Sequence, residues 1–88
     1  GAGVIREPAV HRQVLRDLLA WLANETTNPP DATGERLLPH GLVASPITGR
    51  DGNHEYLLLL RLAPGQERAT VDEQTIERVV QEAFAATT

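Results

Sequence analysis

The chain has 88 residues, room for one domain that buries only about 60–65% of its unfolded surface. A net charge of −4 denies it the basic footprint that holds nucleic acid by counterion release, and the lack of cysteine excludes a disulfide framework or a thiolate metal site. All eight basic residues are arginines, so chemistry that needs a lysine must take it from outside these residues.

Gly1 to Arg6 reads as a loop entering a helix, with Pro8 suited to the first helical position, where its missing N–H costs nothing. Val10, Val14, Leu18 and Trp21 or Leu22 recur at helical spacing, flanked by Leu15 and Leu19. His11, Arg12, Gln13, Arg16 and Asp17 fall on the opposite face, so the pattern predicts an amphipathic helix from about Glu7 to Ala23 with Trp21 as its packing anchor. Residues 24–40 are rich in turn formers, and Pro29-Pro30 excludes helix there. This stretch is long for a connection inside a compact domain and is expected to be a flexible surface insertion, with Glu35 to Leu38 a short turn before Pro39.

Gly41 to Ser45 reads as a strand that Pro46 brings to an end. Asp51-Gly52 is a hairpin-turn pair, and the return strand runs from Glu55 to Leu62. Glu55, Leu57, Leu59 and Arg61 share one face of it, and Tyr56, Leu58, Leu60 and Leu62 the other. A strand apolar on both faces expects a covering layer on each side. Thr70 to Glu73 has capping-box spacing, and the helix it opens presents Ile76, Val79, Val80, Ala83 and Phe84 on one side. The order is helix, strand, strand, helix. A lone hairpin with two helices has little material for a doubly covered sheet, so the chain is expected either to dock on more sheet or to self-associate.

Motif chemistry is sparse. His11, His40, His54, Asp51 and Glu55 lack the helical spacing of a zinc protease, and Ser45, the only serine, precedes proline instead of sitting in a nucleophile elbow. The opening Gly-Ala-Gly is not a nucleotide loop, for want of a strand before it. What stands out is Glu55, a carboxylate where a glycine-rich loop meets the most apolar run of the chain. It either pairs with Arg50 or Arg61 or simply faces water, or it serves as a site carboxylate on a rigid strand end, with Arg50 and Asn53 of the same loop as candidate substrate contacts. No apolar run approaches the roughly 20 residues of a membrane span and no signal-peptide pattern opens the chain, so a cytoplasmic location without membrane association is expected.

Two segments carry a resemblance. Val4-Ile5-Arg6-Glu7-Pro8-Ala9-Val10-His11 resembles the Val-Val-Arg-Asp-Pro-x-x-His segment of the TlyA family, the hemolysin-like, FtsJ-related ribosomal RNA methyltransferases. Ser45-Pro46-Ile47-Thr48-Gly49 and Gly52-Asn53-His54-Glu55-Tyr56 resemble the Ser-Pro-(Ile/Leu)-x-Gly-x-x-Gly-Asn-x-Glu-(Tyr/Phe) stretch of the same family. The matches cover roughly a third of the chain.

The resemblance implies an α/β fold: the C-terminal portion of a Rossmann-like methyltransferase domain, comprising a crossover helix, an antiparallel hairpin and a closing helix. It implies S-adenosylmethionine as cofactor of the whole enzyme, bound by an upstream half, with none expected on these residues alone. It implies ribosomal RNA as substrate, methylated on a ribose 2′-hydroxyl by a Lys-Asp-Lys-Glu tetrad. Glu55 occupies the position of the tetrad glutamate, and its implied role is electrostatic alignment of the lysine and the hydroxyl. A small non-catalytic module that binds protein or RNA is the alternative, and nothing in the chain supports the membrane lysis that the historical family label suggests.

Overall fold

The computed structural model describes residues 7–49 and 52–85. They form a small α/β unit in the order α1 (Pro8–Ala23), β1 (Glu35–Ala44), β2 (Tyr56–Pro64) and α2 (Glu73–Ala85), with the strands in one antiparallel two-stranded sheet. Among the described residues no helix is long and apolar enough to cross a membrane.

Helix α1 begins at Pro8, with Glu7 in extended conformation before it. Its last carbonyls are satisfied by the segment that follows. Thr27 Oγ1 donates to the Trp21 carbonyl at 2.6 Å and Asn28 Nδ2 to that of Leu22 at 2.8 Å, while Arg36 Nη1 reaches the Ala23 carbonyl at 3.1 Å. Asn28 also donates to the Leu37 carbonyl at 2.9 Å, which ties the helix end to β1.

The helix buries a different face from the one its apolar spacing suggests. His11, Leu15 and Leu22 are buried, whereas Val10, Val14, Leu18 and Trp21 are exposed, Trp21 by 51%. Trp21 is therefore not the anchor, and His11 does not lie on the outer polar face. The reason is α2, which approaches α1 on the arginine side: Arg12 Nε donates to Glu77 at 3.0 Å and Arg16 Nε to Glu73 at 2.7 Å. That docking rotates the buried stripe toward His11, Leu15 and Leu22.

Strand β1 begins at Glu35, so residues 35–40 belong to the sheet and not to the preceding loop. Asp31 organises the entry: its carboxylate accepts from Thr33 Oγ1 at 2.6 Å and from the Thr33 and Glu35 N–H groups, and these bonds, the Thr33 hydroxyl first, hold its pKa below the usual 3.8. Gly34, at φ +82, completes the turn, and its carbonyl accepts from Gly65 N–H at 2.8 Å.

Pro39 does not end the strand. It pairs with Leu60, and the register skips between Pro39 and Gly41, leaving His40 as a bulge residue. A proline has no N–H for the ladder, and a bulge is where a sheet tolerates one. Thr70 Oγ1 donates to the His40 carbonyl at 3.3 Å. The bulge also reverses facing: Leu38 and Leu42 are both 3% exposed, yet their partners Arg61 and Leu58 are three residues apart and hence on opposite faces of β2.

Helix α2 is capped by Asp72 and not by Thr70. The Asp72 carboxylate accepts from Thr75 N–H at 2.9 Å and Thr75 Oγ1 at 3.0 Å, which lowers its pKa from 3.8, the backbone bond contributing most. Ile76, Val79, Val80 and Ala83 are buried, as their spacing predicts. With Leu15 and Leu42, three of them (Ile76, Val79 and Val80) form the core, against which Leu19, Ala44, Tyr56, Leu58, Val71 and Phe84 pack. Each such side chain contributes about 1.5–3 kcal/mol when fully buried. The far face of the hairpin is apolar but bare: Val43, Leu57 and Leu59 are 52–59% exposed.

Candidate functional site

The end of the hairpin where β1 stops and β2 starts meets the first turns of α1 and the last turns of α2. Four rings gather there. His11 Nδ1 lies 3.0 Å from Tyr56 Oη, and the His11 ring stands edge-on to Phe84 at 4.9 Å between centroids. His54 tilts against Phe84 at 4.5 Å and faces His11 at 6.0 Å. Such edge-to-face contacts favour a fixed cluster over a loose one. Burial raises the Tyr56 phenol above its ordinary 10.0, so it remains a protonated hydroxyl at neutral pH. The direction of its hydrogen bond with His11 follows the imidazole tautomer.

A cleft of about 250 Å³ opens beside this cluster, lined by Val10, His11, Val14, Leu15, Asn53, His54 and Tyr56. The backbone that shapes its rim is pinned by Ser45 N–H donating to the Glu55 carbonyl at 2.8 Å and Gly49 N–H to the Asn53 carbonyl at 2.6 Å. Gly52, at φ +80, has the left-handed backbone that the Asp-Gly turn calls for.

Of the residues singled out from sequence, Asn53 lines the cleft, Glu55 does not, and Arg50 lies outside the described residues. Glu55 sits between His54 and Tyr56, one residue before β2 begins, and its side chain does not line the cleft. It is exposed, and its carboxyl group lies across the Cα of Gly49: a Cβ built on Gly49 would come 2.8 Å from Glu55 Cδ. Arg61, one expected partner of Glu55, is paired with Glu67 instead.

That His11, His54 and Tyr56 share one cleft is not visible in the sequence. The sequence places His11 on the polar face together with Arg12 and Gln13, which follow it. The available signal was its spacing of four and eleven from Leu15 and Leu22, which puts it on their stripe.

Four of the six described arginines face carboxylates. Arg12 and Arg16 hold Glu77 and Glu73, and Arg78 lies 3.8 Å from Glu82. The Arg16 hydrogen bond is the main cause of a lowered Glu73 pKa. Among the described residues no group of three or more His, Cys, Asp or Glu side chains converges to hold a metal.

No family model and no solved structure matches the chain. The chain is similar to "Putative rRNA methyltransferase YqxC" of Bacillus subtilis (strain 168), with 40% identity over 82 residues, 92% of its own length. It spans 26% of the length of that relative.

Proposed function

We propose that this chain is the C-terminal segment of an rRNA methyltransferase of the TlyA type, which transfers a methyl group from S-adenosylmethionine to a ribose 2′-hydroxyl of ribosomal RNA in the cytoplasm. The observation that carries the reading is the 40% identity, over nearly the whole chain, to about a quarter of a protein named as an rRNA methyltransferase. The bare apolar surfaces support it. Val43, Leu57 and Leu59 on the hairpin, and Val14, Leu18 and Trp21 on α1, are too exposed for a finished domain and suit the edge of a larger Rossmann-like sheet covered on both sides.

The cofactor belongs to the rest of the protein. Among the described residues the aromatic cleft presents no carboxylate for a ribose diol or an ammonium group, and the positive-φ glycines Gly34 and Gly52 sit in turns that lead into strands, not helices. The described residues do not fit S-adenosylmethionine by themselves. Arg12, Arg16, Arg61 and Arg78 already face carboxylates, so these four do not offer a phosphate clamp.

In this reading Glu55 is the segment's contribution to the site. It stands exposed at the carboxyl end of β1, the end at which α/β sheets bind ligands, on backbone held by the Ser45 and Gly49 hydrogen bonds. A carboxylate there would orient a lysine supplied by the rest of the enzyme. The test is methyl transfer to ribosomal RNA by the complete gene product, followed by digestion to nucleosides. A 2′-O-methylated nucleoside is expected, and a base-methylated product would overturn the ribose assignment.

A further inference from the structure

The cleft between α1 and the hairpin end has a composition that selects its ligand. Its lining combines three flat side chains (His11, His54, Tyr56), the aliphatic walls of Val10, Val14 and Leu15, and one amide, Asn53. Among the described residues its lining has no arginine to hold a phosphate and no carboxylate to hold an ammonium group. What remains is a neutral, planar group with hydrogen-bonding edges. A volume of about 250 Å³ is room for a single heterocyclic ring system.

We infer that this cleft is a subsite for a nucleobase of the RNA substrate, stacked among His54, His11 and Tyr56 and read along its edge by the Asn53 amide. Aromatic and imidazole faces hold unstacked RNA bases irrespective of sequence, and an amide adds a donor and an acceptor to discriminate among them. The cluster is built to keep its shape: His11 is 8% exposed and bonded to Tyr56, and His54 is braced on Phe84. Asn53 and His54 directly precede Glu55 in the chain. A base in the cleft therefore lies next to the segment that carries the carboxylate, just before β2. That the base comes from RNA rests on the function proposed above; the shape and chemistry of the cleft do not.

The test uses the complete gene product with adenosine, guanosine, cytidine and uridine as probes, followed through the imidazole C–H resonances of His11, His54 and His40. At least one nucleoside is expected to shift the His11 and His54 signals and leave His40 unmoved. His54→Ala should weaken that nucleoside about tenfold. Asn53→Asp, which keeps the side chain's size, should change which nucleoside binds best, an effect that a merely structural role would not produce. In methyl transfer, Asn53→Asp should raise KM for RNA more than it lowers kcat. If S-adenosylhomocysteine displaces the nucleoside, the cleft is an adenine pocket of the cofactor and the RNA assignment is overturned. If rRNA is methylated but no nucleoside moves these signals and KM is unchanged in both variants, the subsite is overturned while the methyltransferase reading stands. Binding of a nucleoside without methyl transfer to any RNA would overturn the methyltransferase reading and the RNA source, and leave only the base-binding cleft.

Discussion

Glu55 and Gly49 are matched across the end of the hairpin: the carboxyl group of one lies over the Cα of the other, where any side chain would intrude. Gly49 is held in place by its N–H bond to the Asn53 carbonyl, at 2.6 Å, so the glutamate has a fixed floor. A methyl group at Gly49 displaces the flexible end of Glu55 more easily than it displaces backbone. Gly49→Ala is therefore expected to change stability by less than about 1 kcal/mol while lowering methyl transfer by the complete gene product. Thermal melting beside an activity assay checks this. An equal activity in the two proteins would show that the position of Glu55 does not matter.

Tyr56→Phe removes the hydroxyl that satisfies His11 and leaves a buried imidazole nitrogen without that partner. The expected cost is about 1–2 kcal/mol at neutral pH. The Tyr56 phenol has its pKa raised by burial above 10.0, so the fold favours the protonated form. Its contribution is complete below pH 10 and is lost as pH rises through the higher folded value. Melting curves from pH 7 to 11 should accordingly fall more steeply at the alkaline end for the wild type than for Tyr56→Phe.

Asp72 gives the opposite sign. Its carboxylate is held below 3.8 by the Thr75 bonds, so its contribution to α2 is present above that value and disappears as pH falls through the lower folded one. Asp72→Asn keeps a capping side chain without the charge. The wild type is expected to lose more stability than Asp72→Asn between pH 5 and 2, which circular dichroism melts at each pH would show.

The bare hairpin face makes a prediction about the 88-residue chain by itself. Val43, Leu57 and Leu59 present a continuous apolar strip, and the isolated chain should sediment as concentration-dependent oligomers. Leu57→Arg with Leu59→Glu should return it to monomer. The same pair in the complete gene product should lower its melting temperature, because there the face is covered. Monomeric wild type at all concentrations would instead favour an autonomous module.

Much of the architecture was legible because it is local. Pro8 opens α1, the Ile76–Val79–Val80–Ala83 stripe sets α2, and Gly52 marks the turn. What escaped depends on partners distant in sequence. Glu35 to Leu38 reads as a short turn before Pro39, yet the bulge at His40 and the Thr70 hydroxyl accommodate the proline inside a strand. Trp21 reads as core, yet the Arg12 and Arg16 bonds to α2 turn the helix so that His11 goes inward. The site was half visible for the same reason. Asn53 and Glu55 lie in one contiguous motif, whereas the cleft that receives Asn53 needs His11 from 42 residues earlier, brought in by tertiary packing alone.

The most direct measurement is transfer of a labelled methyl group from S-adenosylmethionine to ribosomal RNA by the complete gene product and by its Glu55→Ala variant. Transfer by the wild type, reduced about 100-fold in the variant with melting temperature unchanged, is the predicted result. Undiminished transfer by Glu55→Ala would contradict the role assigned to that carboxylate, and no transfer by the wild type to any ribosomal RNA would contradict the methyltransferase reading itself.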